Sequence, residues 1–158
     1  MPSLIGPWIS AGDTTVVDSA LKHELGSRAF DANGNEYIYL TGVASTVAGY
    51  AVTFDEAHLT TLTVADAVGR VAFAMAAIDS TSEYGWYLIY GTITNASAAG
   101  PILTDTPLTL CASPGMLADT PVTGDIIIGC ISRNAPSLAA SPLTIEVNYP
   151  FVCRATQL

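Results

Sequence analysis

The sequence predicts an all-β chain, a single-domain antiparallel β-barrel or sandwich with an irregular N-terminal segment and at most one short helix. Three observations lead there. From Gly26 onward, short runs rich in β-branched and aromatic residues recur between clusters of Gly, Pro, Asn and Asp. No amphipathic helical pattern separates these runs, as parallel βαβ units would require. A chain of 158 residues comfortably makes one domain with its own core, and no shift in composition marks a boundary within it.

The first 25 residues stand apart as an arm or short helix, leaving residues 26–158 as the β-domain. Pro2, Gly6, Pro7 and Gly12 break residues 1–12 too often for a regular element. That stretch reads either as an arm reaching a neighbouring subunit or as a strand of the same barrel. Asp13 or Thr14 is then placed to cap a short helix. Val16, Val17, Ala20 and Leu21 follow at helical spacing, and the helix would end near His23.

Asp31-Ala-Asn-Gly-Asn35 is turn chemistry, because Asn-Gly readily takes positive φ. Glu36–Leu40 follows as a strand. In Gly49–Phe54, alternation puts Tyr50, Val52 and Phe54 on one face, and Asp55–His58 closes the strand as a loop. Gly69–Ile78 places Val71, Phe73, Met75 and Ala77 on one face and Ala72, Ala74, Ala76 and Ile78 on the other. Both faces are apolar, so both should be covered. Tyr84–Gly91 sets Trp86, Leu88 and Tyr90 against Tyr87 and Ile89. A small-residue loop over Asn95–Pro101 leads to a short strand, Pro107–Leu110, ended by Ser113-Pro-Gly115. Gly124–Ile131 reads as a buried strand, Ala135–Pro142 as a loop and Leu143–Val147 as the last strand.

Five Lys or Arg stand against fourteen Asp or Glu, for a net charge of -9. Nucleic acid is a poor partner for such a chain, since phosphate contacts need clustered basic residues. Lys22 is the only lysine, so a polybasic membrane patch is also missing. Charged residues make up 12% of the chain, about half the ~25% usual in soluble domains. Mean hydropathy is +0.43. The longest apolar run, Val71–Ile78, falls far short of the ~20 residues that span a bilayer. Met1–Trp8 has no basic start and no long apolar region, so a signal peptide is not expected and synthesis in a cytosol is. An apolar, weakly charged chain without a membrane segment is expected to hide surface in an assembly.

Little in the sequence points to catalysis, and no cofactor or metal is expected. Asp55-Glu-Ala-His58 spells a helicase box, but the phosphate-cradling loop that must accompany it is missing. Asp31, Asn33 and Asn35 imitate the start of a calcium loop, yet Glu36 stands where glycine is required. His23 and His58 are the only histidines, and there is no G-x-S-x-G elbow. The spacing of the carboxylates selects no glycosidase pair. Asn95-Ala-Ser97 is a glycosylation sequon that matters only in a secretory pathway. Cys111, Cys130 and Cys153 lack zinc spacing and read as reduced thiols; Cys153, near the C-terminus, is the candidate for an intermolecular disulfide. Trp86, Tyr87 and Tyr90 suit a barrel core, an interface anchor or a sugar-stacking platform. With Trp8 and Phe151 they are the candidate interface residues.

Five segments occur in a telling order: Gly26–Leu40, Val47–Val52, Ala74-Met-Ala76, Gly85–Gly91 and Asn148–Val152. Together they resemble the head decoration, or cement, proteins of tailed bacteriophages, encoded near the major capsid protein. The resemblance covers about residues 24–152. Each motif is generic, and their order carries the likeness. It implies a β-rich fold, a homotrimer, and binding to the major capsid protein at capsomer joints on the outer capsid surface of the virion, with no enzyme activity and no catalytic residues. A phage tail or baseplate subunit and a carbohydrate-binding β-module are the alternatives.

Overall fold

Ten antiparallel strands form one open, curled sheet. The computed structural model describes residues 7–120, 125–136 and 142–153. The strands are β1 (Arg28–Phe30), β2 (Glu36–Thr41), β3 (Ala51–Phe54), β4 (Thr60–Leu62), β5 (Gly69–Ala74), β6 (Tyr84–Ala96), β7 (Pro107–Leu110), β8 (Leu117–Ala118), β9 (Ile126–Ser132) and β10 (Leu143–Val152). Along the main path the order is β1-β2-β6-β5-β10-β9-β7-β8, with β3 beside β5 and β4 beside β3. The all-β sandwich architecture expected from the sequence is therefore present.

The curl produces two cores. The larger lies inside it, where Tyr39, Phe73, Trp86 and Leu88 meet Leu108, Leu117, Ile127 and Ile145 from the far strands. The smaller lies on the other face of β2, β6, β5 and β3 and holds Ile38, Leu40, Val52, Ala72 and Tyr87. Leu62 of β4 and Val43 pack against it. Thr60 donates its hydroxyl to the Thr41 carbonyl at 3.0 Å, which folds the β3–β4 hairpin over this second core. All six residues of β2 are buried in consequence. The alternation in 71–78 is borne out: Val71 and Phe73 join the first core, and Ala72, Ala74, Ala76 and Ile78 the second. Ladder pairing stops at Ala74.

The β1–β2 turn forms as its sequence predicts, and the side chain of Asp31 holds it. That carboxylate accepts bonds from the Asn33 amide at 2.8 Å, the Asn35 amide at 3.0 Å and the Tyr37 hydroxyl at 2.8 Å. A carboxylate so occupied is turn structure, not a calcium ligand.

The N-terminal helix is corrected. Only a 3₁₀ turn, Asp13–Thr15, forms, and Val16 is already extended. Asp18 then exchanges two backbone hydrogen bonds with Tyr84, at 2.8 and 2.9 Å, which pulls this segment onto the end of β6. Paired β-branched residues have weak helix preference, and the tertiary bridge overrides it. Val16, Val17 and Leu21 lie exposed. Residues 7–9 run beside β1, with Phe30 N donating to Pro7 O and Ile9 N to Phe30 O. This makes one parallel bridge, Trp8 to Phe30, and not a strand; residues 1–6 lie outside the described residues.

Two boundaries also move. The loop expected from Asn95 begins later, because β6 runs on to Ala96 with Ile93 and Ala96 buried against β10. The last strand continues past Val147 to Val152 through a bulge. The short strands β4 and β8 were not expected. Gly124 and most of the 135–142 loop lie outside the described residues.

Candidate functional site

An exposed strip of large side chains crosses β6, β10 and β9, and a bulge in β10 creates it. The first half of β10 pairs with β6, ending at Asn148 opposite Tyr90. Its second half pairs with β5, with Phe151 opposite Arg70. On the β9 side, Val147 faces Cys130 and Phe151 faces Ile128, so Asn148, Tyr149 and Pro150 are opposed by Gly129 alone. Proline suits such a place because it has no amide to donate. Tyr149 and Gly129 both take positive φ, 43° and 82°. A side chain on Gly129 would overlap the Asn148 carbonyl oxygen.

The bulge swings Tyr149 outward onto Tyr90, with ring centroids 5.3 Å apart. The Tyr149 hydroxyl donates to Glu36 Oε2 at 2.5 Å, and Arg28 bonds Glu36 Oε1 at 2.7 Å. Phe151 of β10 and Ile126 and Ile131 of β9 are also exposed. Monomeric proteins rarely leave such groups contiguous, and aromatic clusters of this kind anchor interfaces. Outside the bulge the backbone beneath is paired on both sides, β6 with β2 and β10, and β9 with β10 and β7.

The five candidate residues separate. Tyr90 and Phe151 lie on the strip, whereas Trp86 and Tyr87 are buried, Trp86 reaching only the wall of a pocket. Trp86 is in the first core, its ring 5.1 Å from Tyr39 and 5.2 Å from His23. Tyr87 is in the second core, its hydroxyl donating to the Thr41 carbonyl at 3.1 Å, and burial pushes its phenol pKa well up. Consecutive strand residues face opposite sides, and here both sides are covered. Trp86, Tyr87 and Tyr90 therefore do not form one stacking platform. Trp8 is exposed at a separate place, at the mouth of a pocket that Trp86 also lines. Tyr149, Ile126 and Ile131 were missed: nothing in an alternating strand pattern announces the bulge that turns Tyr149 outward.

Two cavities bear on function. The larger, about 840 Å³, is an open trough beside the β3–β4 hairpin. Among the described residues its one cation is occupied: Arg70 bonds the Asp55 carbonyl at 2.6 Å and lies 4.4 Å over the Phe54 ring. The smaller, about 380 Å³, lies between the N-terminal segment and β1 and β6 and is lined by Trp8, Asp13, Asp18, Lys22, His23 and Trp86. There Asp18 Oδ2 accepts the Tyr39 hydroxyl at 2.7 Å and Oδ1 sits 2.6 Å from the Lys22 ammonium. Burial opposes the charge on Asp18, but these two partners hold its pKa below the ordinary aspartate value.

The chain matches no family model, no curated protein and no solved structure. The geometry carries the functional argument.

Among the described residues no three His, Cys, Asp or Glu side chains gather to hold a metal ion, and no helix is long and apolar enough to cross a membrane. The three cysteines are free thiols. Burial drives the Cys130 thiol pKa far up, which makes it a packing group and not a nucleophile.

Proposed function

We propose that this chain is a structural head decoration protein of a tailed bacteriophage, binding the outer capsid surface as a homotrimer and holding neighbouring capsomers together. The observation that carries the reading is the strip of Tyr90, Tyr149, Phe151, Ile126 and Ile131, all exposed on adjacent strands of the sheet. The ordered resemblance of residues 24–152 to such proteins supplies the partner, the major capsid protein. A chain with only 12% charged residues gains affinity mainly by burying apolar area, at ~25 cal/mol per Å². Several protomers engage one joint together, so modest contacts sum. The net charge of -9 keeps a coated particle soluble and away from nucleic acid. The function needs no catalytic group, and the mature protein resides on the virion after synthesis in the host cytoplasm.

Purified particles supply the test. Hundreds of copies per particle are expected. Particles stripped of the protein should release DNA at a lower temperature, and purified wild-type protein should restore them. Phe151→Glu protein should fold but fail to restore. A few copies or about a dozen per particle would move the assignment to a tail or baseplate subunit. Equal release temperatures for stripped and complete particles would end the cement reading.

A further inference from the structure

We propose that the pocket beneath Trp8 is a second binding site, one that takes a neutral saccharide. It lies on the opposite face of the sheet from the strip: Ala29 and Trp86, which line it, face the first core, while Tyr90 pairs with Glu36 on the other side. The inference therefore stands apart from the capsid reading.

The cavity of about 380 Å³ falls in the ordinary range for small-molecule sites. At its mouth Trp8 leaves 59% of its surface to solvent, although the backbone on both sides of it is pinned to Phe30 at 2.9 and 3.0 Å. The backbone fixes where the indole is presented, and its exposure is notable because tryptophan is normally among the better buried residues. His23 and Trp86, whose rings lie 5.2 Å apart, also line it.

The polar groups narrow the ligand class. Asp13 and Asp18 offer acceptors, and Lys22 and His23 offer donors. Two carboxylates against one ammonium disfavour an anion. A wholly apolar ligand would strip water from charged groups without replacing its hydrogen bonds. A sugar meets both demands, because its C–H face lies on an indole while each hydroxyl both donates and accepts. Asp18 is the natural centre. Its side chain is 5% exposed, and Oδ1 has the Lys22 ion pair but no hydrogen bond of good geometry. Lys22 is 62% exposed and tethered only at that end. Swinging aside, it opens Oδ1 to a hydroxyl and can itself bond the neighbouring one. The Asp18 backbone, fixed to Tyr84, keeps the carboxylate in place meanwhile.

Trp8 and Trp86 are the only two tryptophans, and both line the pocket, so intrinsic fluorescence reports occupancy. The probes are methyl glycosides of neutral hexoses and N-acetylhexosamines with their disaccharides; choline serves as an ammonium probe and glucuronate as an anion. A saturable emission change with at least one neutral saccharide is expected below about 10 mM. Trp8→Ala should weaken it by about tenfold or more, the scale of one aromatic contact, without moving the urea midpoint. Asp13→Ala, at the exposed rim, should weaken it too. The proposal is overturned if no neutral saccharide gives a saturable change, if only choline does, or if the response survives both substitutions.

Discussion

Tyr149 donates its hydroxyl to Glu36 at 2.5 Å, joining residues 113 positions apart in the chain. Glu36 is buried, and its other oxygen is held by Arg28 at 2.7 Å. A buried carboxylate is costly unless its oxygens are satisfied. The bond therefore does two things: it completes Glu36, and it fixes the bulge of β10 against β2. The exposed strip owes its shape to a polar contact beneath it.

Removing that hydroxyl tests the link. Tyr149→Phe should lower stability by about 1–2 kcal/mol, the usual scale for a hydrogen bond to a charged group at a partly open site. Urea unfolding measures it. Combined with Arg28→Ala, the loss should be non-additive, because both partners serve one carboxylate. A Tyr149→Phe midpoint equal to wild type would show that Tyr149 contributes no stability there.

Acid should destabilise the fold through two aspartates. Burial opposes the charge of Asp18 and of Asp31, but their hydrogen-bonding partners outweigh it, so both pKa values lie below the ordinary 3.8. A carboxyl with a depressed folded pKa binds protons more readily when unfolded. Its stabilisation is complete above the unfolded pKa and disappears as pH falls through the folded one. Thermal midpoints should thus hold at neutral pH and drop from about pH 4 downward. Asp31→Asn should be less stable at pH 7 and show a shallower acid decline. An unchanged decline in that variant would remove Asp31 from the account.

Glycine at the bulge makes a sharper prediction. Gly129 has φ 82° and Gly34 has φ 83°, so alanine is equally strained at both. Only at Gly129 would the new methyl meet backbone, the Asn148 carbonyl; around Gly34 nothing lies within 4 Å. Gly34→Ala should cost about 1–2 kcal/mol from conformation alone. Gly129→Ala should cost a further 1–3 kcal/mol or so from overlap. Differential scanning calorimetry of the pair separates the two effects. Equal losses would mean that the bulge yields to the methyl without resistance.

How far the sequence was legible follows from what each signal depends on. The hairpin at Asp31–Asn35 and the two faces of 71–78 were readable because turn chemistry and alternation are local. The helix expected after Asp13 failed for the opposite reason: a bridge to Tyr84, far along the chain, decides the backbone at Asp18. The strands β4 and β8, of three and two residues, are too short to show a period. Of the surface strip, Tyr90 and Phe151 were candidates by residue type, but alternation put Tyr90 on the face of Trp86 and Leu88, and a register shift between Glu36 and Tyr37 turns it to the other. Tyr149 was not a candidate, since its orientation depends on Gly129 across the ladder. Trp86 and Tyr87 were read as interface candidates because residue type cannot tell a covered strand face from an open one.

The two tryptophans allow the core assignment to be checked directly. Trp86 is 5% exposed and packs on Tyr39 and His23; it sits where the N-terminal segment meets the first core. Trp86→Ala should remove ~3–5 kcal/mol, the range for deleting a large buried aromatic, which is a large part of the ~5–15 kcal/mol that holds a typical domain together. Folded yield should fall with it. Trp8 is held by its backbone and not by its indole, so Trp8→Ala should stay within about 0.5 kcal/mol of wild type. Emission distinguishes the residues independently of stability. Removing exposed Trp8 should leave the blue-shifted spectrum of a buried indole, and removing Trp86 should leave a red-shifted one. If Trp86→Ala unfolds at the wild-type midpoint, the first core does not depend on that ring, and the N-terminal segment is held by its hydrogen bonds to Phe30, Tyr39 and Tyr84.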